Sequence, residues 1–206
     1  DNVAIPIFHG LPKIHKPGTL QLRPIAGAHS WITTPHSTLA SSFLHKITSQ
    51  WKHLVRDTTE LVEELEGKPV PPGSFLVTMD VKSLYPNMLH NEILNSIIRL
   101  RRYSGVVNIS IDTVRYIHKI VRIIIANAFV EFDGEIYKQI RGVPMGTNCS
   151  PELANLYVTY LMEFTPELKE WVTSSIYKRF LDDIFFVWTK DLASLREHIR
   201  LMRRMH

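Results

Sequence analysis

The chain of 206 residues is 45% hydrophobic and 21% charged, which suits one globular core of ordinary size. No apolar run approaches the roughly 18 residues of a membrane-spanning helix, and the single Cys149 excludes an internal disulfide and fits a reducing, intracellular setting rather than secretion. The net charge of +4 is uneven: six Lys/Arg against two acids over residues 1–57, thirteen against sixteen over 58–189, and five against two over 190–206. Basic ends around a slightly acidic middle suit a polyanion handled at an acidic centre; ordinary solvated charge faces would give the same counts. The start, "DNVAIPIFHG", has neither a basic n-region nor an initiator Met, so no signal peptide is expected and the chain reads as a fragment.

In chain order, "GLPKIHKPG" (10–18) reads as a basic, Pro/Gly-punctuated structured loop, followed by the short extended run "LRPIAGA" (22–28). Leu39, Phe43, Leu44, Ile47, Trp51, Leu54 and Val55 recur at helical spacing, which predicts an amphipathic helix from Pro35 to Val55. A short acidic helix is expected over Thr58–Glu66, and "GKPVPPGS" (67–74) forbids regular structure. "FLVTMD" (75–80) predicts a buried strand ending at Asp80. Helices follow at about 90–103 and 110–126, the second with Ser110 as N-cap. "FVEFDGEIYKQI" (129–140) predicts a hairpin turned by Asp133-Gly134, the pair favoured in a type I′ turn. The glycine-bearing loop "GVPMGTNCSP" (142–151) leads through Ser150 and Pro151, an N-cap and N1 pair, into the helix "ELANLYVTYLMEF". A hairpin is expected around "YKRFLDDIFFVW" (177–188) and a basic amphipathic helix over 190–205. The order gives an α+β fold with an antiparallel sheet backed by helices, in one domain without an internal linker.

The chemistry centres on Asp182 and Asp183, two like charges between apolar runs. Neighbouring carboxylates repel by roughly 1 to 4 kcal/mol, and a regular strand would point them to opposite faces. A tight hairpin with the pair at or beside its turn lets both side chains approach a common point. An Asp-Asp pair is by itself an ordinary surface turn; what changes the reading is Asp80, at the end of a separate strand. Three aspartates at two strand or hairpin ends are the minimum for two Mg²⁺ ions about 3.5 to 4 Å apart. The cations would relieve the repulsion, and the backbone carbonyl of Val81 would add a ligand. His9, His15, His29 and His36 lie close in sequence but, with one cysteine and no paired spacing, do not form a zinc motif.

Four stretches together resemble reverse transcriptases. "FLVTMDVKSLYPNM" is similar to their first palm motif, with Asp80 followed five positions later by the aromatic Tyr85, and "FLDD" to their aromatic-x-Asp-Asp box. "QIRGVPMGTNCSPELANLY" resembles the intervening glycine loop and helix, and "GLPKIHKPG" with "LRPIAG" the basic fingers motifs. The motifs run in the family's order from Gly10 to Trp188, and their wording is most similar to Penelope-like retroelements. The resemblance implies a right-hand polymerase, with residues 1–74 mainly fingers and 75–206 mainly palm with interleaved fingers segments; thumb and nuclease would lie beyond residue 206.

It also implies the site. Asp80, Asp182 and Asp183 would be catalytic metal ligands, with Val81, for two Mg²⁺ ions or Mn²⁺ in their place. Tyr85 would lie under the incoming sugar as a steric gate against a 2′-OH. Lys13 and Arg23 would neutralise the triphosphate, Arg23 in bidentate fashion. Lys16, Lys138 and Arg141 would meet template phosphates. Gly142, Pro144 and Gly146 would let backbone approach the nascent base pair. Met145 stands where the widespread motif has Gln, so its contact with a nucleotide would be packing, and Phe180 stands where many relatives have Tyr. The implied partners are an RNA template, a DNA primer and deoxynucleoside triphosphates, with action in the nucleus and no membrane. Two alternatives stand beside this reading: a retired reverse transcriptase that only binds nucleic acid, and an interaction module whose aspartates are plain turns.

Overall fold

The computed structural model describes residues 3–14, 21–102, 109–163, 165–174 and 176–204. The chain opens with strands β1 (Phe8–Pro12) and β2 (Leu22–Ala26), then helices α1 (Thr34–Thr48) and α2 (Thr58–Leu65). Strand β3 (Phe75–Asp80) leads to α3 (Leu84–Asn87), α4 (His90–Ile98), a 3-10 turn at Leu100–Arg102 and α5 (Ile111–Ala126). Strands β4 (Phe129–Phe132) and β5 (Glu135–Lys138) precede α6 (Ser150–Glu163) and α7 (Pro166–Ser174); β6 (Tyr177–Phe180), β7 (Asp183–Trp188) and α8 (Leu192–Arg203) complete the order. This is the expected α+β arrangement.

The central sheet has strand order β3-β7-β6, antiparallel throughout, and two separate hairpins are formed by β1–β2 and β4–β5. Alternation along the central strands sorts their side chains. Val77 pairs with Phe186 and Met79 with Ile184 on the helix-facing side, while Thr78 pairs with Phe185 and Asp80 with Asp183 on the other. Helices α1, α4, α5 and α6 stack behind the sheet, burying Leu44, Ile93, Ile117, Val121, Leu153 and Leu156 completely or nearly so. The expected buried strand at 75–80 is therefore half right: Leu76 on its open face is 68% exposed.

Two local expectations give way to tertiary pairing. The basic loop at 10–18 begins inside a strand, since Gly10, Leu11 and Pro12 pair with Pro24, Arg23 and Leu22. The first helix ends at Thr48, not Val55. Beyond it the backbone extends along β6: Arg179 N–H donates to His53 O at 2.8 Å, and Val55 N–H to Arg179 O at 3.0 Å. Trp51 and Val55 are buried in this non-helical stretch, so their helical spacing continues without a helix. The type I′ hairpin is confirmed by positive φ at Asp133 (53°) and Gly134 (77°), and Ser110 Oγ accepts the Thr113 N–H at 3.0 Å as an N-cap. Helices α3 and α7 were not anticipated.

Two imidazoles are locked into this packing. His53 stacks on Trp51 and its Nε2 lies 3.1 Å from Thr159 Oγ1; burial, with Arg179 and Lys178 nearby, brings its pKa down to about 3. His198 lies against Trp171 and Trp188, and burial with the Lys190 charge brings it down to about 4. Both protonate near pH 6.5 once unfolded, so below that pH the unfolded chain binds more protons and stability falls as pH drops. The urea midpoint should decline from pH 7 to pH 4.5, and His53→Gln, which can still bond Thr159, should flatten the decline. An unchanged slope in that variant would contradict the buried neutral imidazole.

Candidate functional site

Asp80 is the last residue of β3 and lies directly across from Asp183, the first residue of β7. Opposed residues of antiparallel strands carry Cβ atoms about 4.5 to 5.5 Å apart on one face, so both carboxylates stand on the open face at the same end of the sheet. Asp182 occupies the two-residue turn between Phe180 and Asp183. Its carbonyl accepts the Val81 N–H at 2.9 Å, carrying the pairing one step past β3. The turn is tight enough to force Leu181 to φ 50°, a left-handed conformation unusual for a γ-branched residue. The anticipated hairpin tip is thus formed, and Asp80 is at it.

Asp80 and Asp183 are exposed and Asp182 half-buried. Desolvation, then the charges of Asp182 and Asp80, push the Asp183 carboxyl above the usual carboxylate range. Asp183 therefore senses the other two acids, and among the described residues no Lys, Arg or His forms an ion pair with any of the three. As the side chains stand, no three ligating groups among the described residues converge on one point. The donor set itself, carboxylate oxygens in mutual repulsion, suits a hard divalent cation. A cavity of about 560 Å³ opens beside Asp80, Val81 and Lys82, between the free edge of β3 and the faces of α6 and α8.

Tyr85 lies on the short helix α3, half-buried, and its hydroxyl pKa is pushed up to about 12 by burial and by the charges of Asp182 and Glu152. Its hydroxyl thus feels the Asp182 charge. The loop after β5 holds it from behind: Val143 N–H donates to Tyr85 O at 3.0 Å and Gly142 N–H to Met88 O at 2.9 Å. His90 Nε2 donates to Gly142 O at 2.8 Å. Gly142 has φ 76°, and a Cβ there would lie 2.5 Å from Tyr85 O. At Gly146, with φ 119°, a Cβ would lie 2.7 Å from Ala26 O, and Ala26 N–H donates to Met145 O at 2.8 Å. The space that the absent Cβ atoms leave is filled by the protein's own backbone at Tyr85 and Ala26.

The expectation of Ser150 as an N-cap is corrected. It is the first residue of α6, and its Oγ donates back to Pro144 O at 2.9 Å rather than accepting from the helix as an N-cap would. Pro144 and Met145 line a cleft of about 280 Å³ with Phe8, Pro24, Ala26, Pro86 and Lys138. Alternation in the β1–β2 hairpin puts Phe8, Pro24 and Ala26 toward this cleft and turns Arg23 to the opposite face. Lys13 donates its N–H to Gln21 O at 2.9 Å, extending the ladder and joining Arg23 on that face as a diagonal neighbour. The two cations are thus together, but they do not line the cleft with Met145. The Lys138 ammonium lies 5.6 Å from the Phe129 ring centroid, Arg141 is exposed beside Gly142, and Lys16 lies outside the described residues.

The residue that sequence reasoning missed is Arg179, which is 1% exposed directly under the turn. Its guanidinium donates to Asn155 Oδ1 and Leu181 O from one nitrogen, each at 2.9 Å, and to Asn155 O and Thr159 Oγ1 from another, at 2.9 and 3.0 Å. The available signal was alternation: Tyr177 and Arg179 share the face that looks toward the helices.

The raised Asp183 carboxyl gives a direct test. Asp183→Asn removes one of three mutually repelling charges, so it should raise the melting temperature of the metal-free chain at pH 7. Mg²⁺ should raise the melting temperature of the wild type, as any ligand of the folded state does, and leave Asp183→Asn nearly unmoved. Equal Mg²⁺ shifts in both would contradict a site at this corner.

No protein-family model and no curated protein matches the chain. Solved structures do. Apo telomerase from Candida tropicalis, truncated from its C-terminal domain, superposes with a TM-score of 0.60 at 15% identity over 95% of this chain and 45% of that one. Telomerase from Candida albicans in complex with a TWJ fragment of telomeric RNA gives 0.62 at 12% identity, over 96% and 40% of the two chains. An insertion-loop deletion mutant of the RNA-dependent RNA polymerase of a human picobirnavirus gives 0.62 at 11% identity, over 98% and 39%. The chain spans less than half the length of each. Both telomerases and the viral RNA-dependent RNA polymerase thus superpose on nearly the whole of this chain. The fold is α+β of the polymerase palm-and-fingers kind, an antiparallel sheet backed by helices.

Proposed function

We propose that the chain is the fingers and palm portion of an RNA-directed DNA polymerase, a reverse transcriptase of Penelope-like retroelement type. One observation carries the reading: Asp80 stands directly across from Asp183, with Asp182 in the connecting turn. The order of the motifs and the polymerase-like fold support it. In this reading residues 1–74 are mainly fingers and 75–206 mainly palm.

Asp80, Asp182, Asp183 and the Val81 carbonyl would hold two Mg²⁺ ions, or Mn²⁺. Bound there, the ions would activate a primer 3′ hydroxyl and stabilise departing pyrophosphate. The protein's own groups do the positioning. The β3–β7 pairing sets Asp80 and Asp183 at one height, and the Val81–Asp182 hydrogen bond fixes the turn against β3. Tyr85, braced by the Gly142–Val143 backbone, presents an aromatic ring that leaves no room for a 2′-OH and favours deoxynucleotides. Lys13 and Arg23, diagonal neighbours at the end of the β1–β2 hairpin, would take the triphosphate. Met145 would pack on the nascent pair without hydrogen bonding it. Lys16, Lys138 and Arg141 would meet template phosphates. The natural partners would be an RNA template, a DNA primer and deoxynucleoside triphosphates, at work in the nucleus.

The test is primer extension on poly(rA)–oligo(dT) with Mg²⁺. Asp182→Asn should lower incorporation of dTTP by about 100-fold or more, whereas Tyr85→Ala should retain it and admit UTP. Extension indifferent to Asp182→Asn would overturn the site. No extension by the wild type, with RNA binding kept, would favour a retired polymerase.

A further inference from the structure

Arg179 is the largest fully buried side chain among the described residues, and it carries a charge. A guanidinium taken out of water costs several kcal/mol unless it is paired and bonded. Among the described residues Arg179 has no ion-pair partner. The Tyr177 hydroxyl interacts with it, and among the described residues its Nε is without a partner. The two terminal nitrogens donate to neutral oxygens: the side chain and backbone of Asn155, the Thr159 hydroxyl and the Leu181 carbonyl. Three of these four bonds fall on one turn of α6. The fourth falls on the strained residue at the hairpin tip, next to Asp182.

That distribution is not what packing alone would select. A Leu or Met at 179 would fill the same strand position facing α6 without burying a charge. What the guanidinium adds is a rigid two-sided fork, with donors reaching α6 on one side and the turn carbonyl on the other. The same helix holds the loop that carries Met145, through the bond from Ser150 Oγ to Pro144 O. It also holds α4, through Tyr157, whose hydroxyl donates to Glu92 Oε2 at 2.7 Å.

We infer that Arg179 is a positioning residue. It clamps the Leu181–Asp182 turn to Asn155 and Thr159 of α6, so that the acidic tip and the Pro144–Met145 loop are located by one helix. The clamp holds Leu181 in its left-handed conformation and keeps the Asp182 carbonyl in place to receive the Val81 N–H. Its consequence for metal binding rests on the polymerase reading; its effect on the turn does not.

Two measurements on the whole chain test this, in Arg179→Lys, Asn155→Ala and the double variant. The first is hydrogen exchange at the Val81 amide, which reads docking of the turn without any metal. The second is Mn²⁺ binding followed by electron paramagnetic resonance. Lys has a compact head that cannot reach both sides, so Arg179→Lys should speed Val81 exchange about tenfold or more, the value of a bond to a charged group. Exchange at Phe186, in the middle of β7, should stay slow, and the Mn²⁺ half-saturation concentration should rise several-fold. Asn155→Ala should do the same more weakly, and the double variant should add little to Arg179→Lys because both act on one linkage. Asn155→Ala leaves the guanidinium in place, so it decides the matter if Arg179→Lys does not fold. Unchanged Val81 exchange in folded Asn155→Ala overturns the inference, and so does acceleration spread evenly over β7. A wild type that binds no Mn²⁺ would sink the polymerase reading, while Val81 exchange would still decide the role of Arg179.

Discussion

Everything at the candidate site depends on Asp80 and Asp183 being opposed residues of one antiparallel pair. Three carboxylates at one corner repel, by roughly 1 to 4 kcal/mol for each close pair. The strands that carry them are held by the other face of the same sheet, where Ile184 and Phe186 are 5% and 0% exposed. Each such side chain contributes about 1.5 to 3 kcal/mol on burial. Apolar packing of that size is comparable to the repulsion and anchors the strands from the far face of the sheet. The apolar residues around Asp182-Asp183 hold an unfavourable charge arrangement in a fixed position, which is what a cation site of high charge density requires.

Helix α6 is the second organising element. From its first residue it ties down the 142–147 loop, and from its middle it meets Arg179 under the turn and Glu92 on α4. Loop 142–147 in turn packs through Gly142 on the Tyr85 backbone and through Gly146 on the end of β2. The acidic tip, the aromatic residue beside it and the base of the β1–β2 hairpin thus refer to one rigid frame. Substitution at Gly142 or Gly146 would disturb that frame by backbone collision.

Local signals revealed much of this in the sequence. The strand ending at Asp80 and the Asp133-Gly134 hairpin rest on short-range patterns, and both formed. So did the turn beside Asp182-Asp183 and the capped helix α5. The errors lie where distant contacts decide. Trp51 and Val55 continue a helical spacing but are buried by backbone pairing with β6, which no local pattern reveals. Gly10 to Pro12 look like loop because Gly and Pro usually are, yet they form an edge strand paired with β2. The glycines of the 142–147 loop were rightly singled out, but the backbone that fills the space beside them is more than fifty residues away in sequence at Tyr85 and farther still at Ala26. Arg179 was not singled out at all; only its place in the strand alternation hinted that it points inward.

The most direct measurement is the titration of the Asp183 side-chain carboxyl, followed by carbon NMR in the wild type and in Asp80→Asn. The account predicts a midpoint above the ordinary aspartate value in the wild type, because burial and the Asp182 and Asp80 charges disfavour ionisation. It should fall toward that value in Asp80→Asn and fall again in the wild type when Mg²⁺ is added. A midpoint that neither Asp80→Asn nor Mg²⁺ moves would show that the two aspartates do not share a site.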